Sequence, residues 1–235
     1  MAGLHPFPQP AGAHLPEVRL LSHGWEPRRA NLFHVKLDPE AFADDLTAAQ
    51  QQALRRFTEL LRGPGASRRL VAKGDLERLW QRHILDSLRV VPCLRSSDRL
   101  AVDVGSGGGL PGIPLAIARP DLPVVLLEPR ESRVAFLEMA ASSLALGNVT
   151  VEHGRAENSP VRADACLARA LASPLATWSL CSPLLREGGR VLYFAGATFG
   201  DQDVESLRGA GIRAKNCDAS LFPGYGPIVI MQADS

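Results

Sequence analysis

The segment Ala101-Val102-Asp103-Val104-Gly105-Ser106-Gly107-Gly108-Gly109-Leu110-Pro111-Gly112 constrains the chain more than any other. A short apolar, β-branched run leads into a glycine cluster, and Pro111 suits the first turn of the helix that follows. Glycines at 105, 107 and 109 let the backbone turn sharply and approach a bulky ligand where a Cβ would intrude. Strand, glycine loop and helix in this order predict a ligand cradle at the carboxyl edge of a sheet.

The rest of the chain predicts such a sheet. Strand-like runs fall at Leu100 to Val104, Val124 to Glu128, Val149 to Glu152, Ala165 to Leu167, Val191 to Phe194 and Ile228 to Met231. Helical patterns lie between the first five, at about residues 111 to 118, 132 to 146, briefly near 158, and 173 to 186. Alternating strands and helices predict a mostly parallel α/β sheet of Rossmann-like type, with right-handed crossovers and helices on both faces. This domain is expected to span residues 98–235, preceded by a small helical region over 41–97.

Within that region, Leu46, Leu54, Phe57, Leu60 and Leu61 mark one amphipathic helix, stopped by Gly63-Pro64-Gly65. A second is predicted from Asp75 as N-cap, with Leu76, Leu79, Trp80, Ile84, Leu88 and Val91 on its apolar face and Arg78, Arg82, Asp86 and Arg89 opposite. Residues 1–40 carry repeated prolines without any period, which predicts a disordered tail. The start lacks a signal-peptide pattern and no long apolar stretch occurs, so a cytoplasmic, membrane-free protein is expected. Cys93, Cys166, Cys181 and Cys217 show no Cys-x-x-Cys spacing, which predicts four free thiols, with Cys93 buried, and no bound metal. The net charge of +1 supplies no bulk attraction to polyanions. Any nucleic-acid contact must therefore come from a local patch, best placed between Arg55 and Arg89, where nine Lys or Arg face four Asp or Glu.

Gly107, Gly109 and Gly112 formally match the dinucleotide fingerprint, but Gly107 lies two residues beyond Gly105, where the strand ends, and Pro111 interrupts the amides that would face a pyrophosphate. No Gly-Lys-Ser/Thr follows, which excludes a P-loop. Glu128, ending the second strand, can accept hydrogen bonds from both hydroxyls of a ribose, which NAD and S-adenosylmethionine share. Asp103 ahead of the glycines favours the methyl donor, because D-x-G-x-G-x-G resembles the first motif of Rossmann-like methyltransferases.

Arg82-His83-Ile84-Leu85-Asp86-Ser87-Leu88, the glycine segment and Gly109-Leu110-Pro111-Gly112-Ile113-Pro114-Leu115-Ala116-Ile117 together resemble the 16S rRNA guanine-N7 methyltransferase family, also called glucose-inhibited division protein B. The likeness continues through Leu127-Glu128, Arg133 with Phe136-Leu137, Asn148-Val149, Arg155-Ala156-Glu157 and Arg169-Ala170, covering roughly residues 75–196. It implies a class I methyltransferase fold, S-adenosyl-L-methionine as cofactor, 16S rRNA or the small ribosomal subunit as partner, and a monomer. It further implies cofactor contacts at Gly105, Gly107 and Leu110 on the methionine side, Glu128 at the ribose, Ala156 and Glu157 at the adenine, and Arg169 beside cofactor and base, with Asp103 also in the cofactor site. Arg78, Arg82, His83, Arg89 and Arg133 are the RNA-binding candidates. The chain departs from the family where Ser132-Arg133 replaces Lys-Arg, Ala195-Gly196 replaces Lys-Gly, Arg69-Leu70-Val71-Ala72 replaces an Asn-Leu-Thr stretch, and no arginine occurs from Leu221 onward.

The N7 lone pair of guanine is unprotonated near neutral pH, so its methylation needs alignment and electrostatic placement rather than a general base. Arg169 and His83 are then the candidates for the reacting site. No Asn/Asp-Pro-Pro-Tyr follows the fourth strand, as amino-group methylases require, and Pro92-Cys93 precedes the glycine loop, unlike the nucleophile pair of cytosine-C5 methylases. Two alternatives stay open: the same cofactor with a diverged RNA or small-molecule substrate, and a non-catalytic remnant that binds cofactor or RNA.

Overall fold

In the computed structural model, seven strands are formed among the described residues, which are 43, 45–217 and 225–234. The tail expected over residues 1–40 lies outside them. The strands are β1 (Ala101–Val104), β2 (Val124–Glu128), β3 (Val149–His153), β4 (Ala163–Arg169), β5 (Leu185–Phe194), β6 (Ile212–Asn216) and β7 (Ile228–Ala233). Their spatial order is β3-β2-β1-β4-β5-β7-β6. The first five run parallel, and β7 inserts antiparallel between β5 and β6. The order reverses between β1 and β4, the topological switch point where an open α/β sheet parts to form a ligand crevice.

Alternate side chains divide the core in two. Val102, Val104, Cys166, Ala168, Val191 and Val229 join one cluster, and Ala101, Ala165, Leu167, Leu192 and Ile228 the other. That period-two alternation covers both faces of the sheet. Helices α1 (Ala48–Leu60), α2 (Asp86–Leu88), α3 (Gly112–Ala118) and α4 (Glu131–Ser143) supply Leu54, Phe57, Leu88, Ile113, Leu115, Phe136 and Leu137 to the second cluster. Helices α5 (Pro174–Cys181) and α6 (Asp201–Gly209) supply Cys181 and Leu207 to the first. All of this lies within one compact unit, residues 36–235.

The N-terminal helices are fastened to the sheet by polar as well as apolar contacts. Thr47 and Gln50 form a capping box at the start of α1. The Gln50 amide also donates to the carbonyls of Ile117 and Ala118 at 2.9 and 3.1 Å, closing the end of α3. Asn148 donates to Leu122, Arg119 and Ala116 and so fixes the turn that leads into β2. Arg190 on β5 is 1% exposed and grips Asp98 through two bonds of 2.9 and 2.7 Å, tying the segment before β1 to the sheet.

Four expectations are corrected. Gly63-Pro64-Gly65 does not stop the first helix, which continues as a π turn over Leu61–Gly65 with Gly65 buried near Leu61 and Phe136. Asp75 does not cap a long α-helix: Lys73–Arg78 is a 3-10 turn, Trp80–Leu85 a π turn, and only α2 is α-helical, while the Asp75 carboxylate reaches Arg82 and His83. Between β5 and β7 the chain forms α6 and β6, where the sequence pattern predicts neither. The fourth concerns the thiols: Cys93 and Cys217 are joined in a disulfide with Cα atoms 5.9 Å apart, because the fold brings together positions 124 residues distant in sequence. Cys166 and Cys181 are free and buried.

Candidate active site

The switch point collects the glycine loop from β1, Glu128 from β2 and Arg169 from β4, all at the carboxyl ends of adjacent strands. Gly105, Gly107 and Gly109 adopt φ of 71°, 57° and 83°, left-handed conformations that non-glycine residues rarely hold. A Cβ on Gly105 would come 2.9 Å from Leu171, whereas one on Gly107 would meet nothing closer than 3.7 Å. The backbone at Gly107 is thus open to a ligand. Leu110 is half-buried at the loop's far end.

Glu128 is 1% exposed, and its two oxygens divide their work. Oε2 accepts from the amide of Gly107 at 2.8 Å and Oε1 from that of Arg130 at 3.0 Å. Each oxygen keeps a second lone pair for a further donor. Arg133, placed on α4, lies 3.7 Å from Oε2. Arg133, an RNA-binding candidate by sequence, therefore neighbours Glu128. Ala156 and Glu157 sit in the 3-10 turn Ala156–Asn158 after β3, whose His153 pairs with Glu128, so they border the same edge.

Asp103 braces the glycine loop from within. Its carboxylate is 1% exposed and accepts from the amide of Gly112 at 3.0 Å, holding the start of α3 against the loop. A Cβ on Gly112 would lie 2.7 Å from that carboxylate and 2.3 Å from Leu126, so glycine is required there for packing. Burial pushes the Asp103 carboxyl up to about 7, opposed by the Gly112 bond.

Arg169 is fastened by the residues of the Arg82–Leu88 motif. One nitrogen lies 2.7 Å from Nδ1 of His83, another donates to Ser87 Oγ at 3.2 Å, and Nε faces Asp86 at 3.4 Å. A guanidinium can only donate, so His83 Nδ1 accepts and Nε2 carries the proton, donating to Asp75 at 3.2 Å. Burial and the charge of Arg169 lower the His83 pKa, which keeps the ring neutral. Both ring nitrogens are engaged inside the protein, so His83 positions Arg169. The residue after Arg169, Ala170, holds φ 51°, which turns the chain abruptly at the strand end.

The RNA candidates divide similarly. Arg78 and Arg82 are exposed, although Arg82 pairs with Asp75 at 3.1 Å. Arg89, by contrast, is 3% exposed, bonded to Asp86 at 2.6 Å and the carbonyl of Gly226 at 2.5 Å, and stacked 5.0 Å over Tyr225. Burial against these partners leaves it no face for a phosphate. Sequence reading missed Asp86 and Ser87 as holders of Arg169 and Asp75 as the partner of His83. The motif string displays Asp86 and Ser87, and Asp75 lies just ahead of it, but a one-dimensional spacing gives no sign that the motif converges on β4.

A family model described as rRNA small subunit methyltransferase G matches residues 50–210. The chain is 42% identical over 199 residues to Ribosomal RNA small subunit methyltransferase G of Mycobacterium sp. (strain KMS), covering 80% of this chain and 84% of that protein. It is 44% identical over 191 residues to the protein of the same name in Mycolicibacterium gilvum (strain PYR-GCK), covering 76% and 82%. Among solved structures, the SAH-bound Podospora anserina methyltransferase superposes with a TM-score of 0.51 at 14% identity over 83% of this chain and 94% of that one. The ribosomal protein L11 methylase from Lactobacillus delbrueckii subsp. bulgaricus gives 0.51 at 14% identity over 66% and 79%. These two likenesses establish a shared class I methyltransferase fold.

Proposed function

Because the chain belongs to the rRNA small subunit methyltransferase G family and is an S-adenosylmethionine-dependent methyltransferase, we propose that it methylates N7 of a guanine in 16S rRNA, in the cytoplasm where ribosomal subunits are assembled. The observation that carries this reading is the meeting of Glu128, the open Gly107 backbone and Arg169 at one switch point. Among the described residues no helix is long and apolar enough to cross a membrane.

The residues present fit the cofactor. Gly105 and Gly107 offer backbone where a side chain would fill the space, and the second lone pairs of Glu128 suit a ribose diol. Leu110 lies on the methionine side, and Ala156 with Glu157 flanks the adenine. When bound, the cofactor supplies an electrophilic methyl on sulfur, open to in-line attack by a nitrogen lone pair. Asp103 takes part through the loop that it braces. Arg169, locked by His83, Asp86 and Ser87, presents a fixed cation beside the reacting base and needs no proton transfer. Arg78 and Arg82 contact phosphates outside the crevice, while Arg133 steadies Glu128 and faces the bound donor.

Incubating the protein with methyl-labelled S-adenosylmethionine and small subunits, their precursors or naked 16S rRNA, followed by nucleoside mass analysis, tests the reading. Label in 7-methylguanosine is expected. Label in a different nucleoside, or in a small molecule alone, would give precedence to a diverged substrate, for which Ser132 and Ala195 already depart from the family's cations.

A further inference from the structure

A concave surface on the N-terminal helices is basic and aromatic. Gln52, Arg55, Arg56, Glu59 and Arg62 project from one side of α1 and its π extension, following helical i, i+3 and i+4 spacing, and with Trp80 they line a groove of about 370 Å³. The Arg55 guanidinium lies 5.5 Å from the centre of the Trp80 ring. Arg62 pairs with Glu59 at 2.5 Å while both remain exposed, and Arg56 reaches the carbonyl of Ser143 at 2.9 Å. Three cations thus line the groove beside a single carboxylate. Trp80 packs on the core yet keeps part of its surface in this groove.

An arginine held beside a tryptophan face is suited to one chemical partner. A nucleobase can stack on the aromatic and guanidinium planes regardless of its sequence, and its phosphates can meet neighbouring cations. The groove's volume lies near the lower end of the roughly 300–1,000 Å³ of small-ligand sites, a size that suits a single nucleotide. Its location gives it a purpose. Trp80 opens the π turn Trp80–Leu85, and three residues on, His83 holds Arg169 at the strand end. A strand whose target base lies at Arg169 can therefore pass neighbouring nucleotides across Trp80.

We propose that the Arg55–Trp80 groove seats one unpaired nucleotide of the RNA substrate, its base stacked against the Arg55–Trp80 pair and its phosphate on Arg62. This rests on the RNA methyltransferase reading and adds a docking subsite outside the reacting crevice.

The test uses the full chain and a short single-stranded oligoribonucleotide. The chain has three tryptophans, so Trp80 emission is taken as the difference between the wild type and Trp80→Phe. The oligonucleotide should quench that difference signal. In Arg55→Gln/Arg62→Gln, whose changes are on the surface, the KM for RNA should rise roughly tenfold while kcat at saturating RNA and affinity for S-adenosylmethionine are retained. The slope of RNA affinity against salt should flatten by about one unit for each phosphate that the variant no longer neutralises. Equal quenching in wild type and Trp80→Phe, or an unchanged KM in the double arginine variant while 7-methylguanosine forms normally, overturns the subsite. Trp80 quenching with no RNA methylation by the wild type would instead overturn the function reading and leave the groove standing.

Discussion

The guanidinium of Arg169 lies 2.7 Å from Nδ1 of His83, so a strand-end cation and a helix histidine 86 positions apart form one unit. Arg169→Ala should lower kcat with RNA saturating, and Arg169→Lys should not restore it, because an ammonium cannot span His83, Ser87 and Asp86 together. His83→Ala should lower kcat while cofactor affinity is kept, since the histidine acts through Arg169. Single-turnover rates alongside calorimetric affinities distinguish these effects.

Burial of His83, aided by the charge of Arg169, sets an acid limit. The folded His83 pKa lies below its usual 6.5, so as pH falls past about 6.5 the unfolded chain takes up a proton that the folded chain refuses. Stability from this group is present above that pH and is lost as pH falls toward the folded pKa. Melting temperatures of wild type and His83→Gln between pH 5 and about 7.5 should converge on acidification.

Asp103 predicts the opposite slope. Its folded pKa of about 7 lies above its reference value of 3.8, so between these values the folded state keeps a proton that the unfolded state has released. Stability from this group is full below about pH 4 and declines as pH rises to 7, by an amount on the order of 4 kcal/mol at about 1.4 kcal/mol per unit. Asp103→Asn keeps an acceptor for the Gly112 amide and should flatten this part of the stability curve, read by urea unfolding at several pH values.

Glu128→Ala should weaken S-adenosylmethionine binding by roughly 1–3 kcal/mol, since it removes a charged acceptor and frees the Gly107 and Arg130 amides. Gly105→Val should be worse, with φ at 71° and a Cβ only 2.9 Å from Leu171. Calorimetry on folded variants checks both, and unchanged affinity in Glu128→Ala would remove the ribose assignment.

Away from the site, Arg190→Ala should cost about 3–5 kcal/mol in chemical unfolding, because Asp98 would remain buried without its partner. A loss below about 1 kcal/mol would show that water reaches the pair.

The sheet was legible in sequence wherever strands are buried. Val124–Glu128 is an apolar run ended by one acid, and it forms β2 with those limits. β6 was illegible because Ile212–Asn216 is a polar edge strand with one buried residue, and α6 because Leu207 alone is buried along it. Gly63-Pro64-Gly65 reads as a stop, yet a π turn absorbs it. In the site, the glycines and Glu128 were legible because backbone freedom and a strand-end acid are local properties. The burial of Asp103 and Arg89, and the convergence of His83, Asp86 and Ser87 on Arg169 of β4, depend on how distant segments pack. Spacing alone carries no such information. The Cys93–Cys217 pair is another case, set by the fold across 124 residues.

The most direct test of the central claim is nucleoside-resolved mass analysis of 16S rRNA from a strain lacking this protein, complemented with wild type or Arg169→Ala. The account predicts that one 7-methylguanosine disappears on deletion, returns with wild type and stays absent or strongly reduced with Arg169→Ala. An unchanged 7-methylguanosine content in the deletion strain would contradict it.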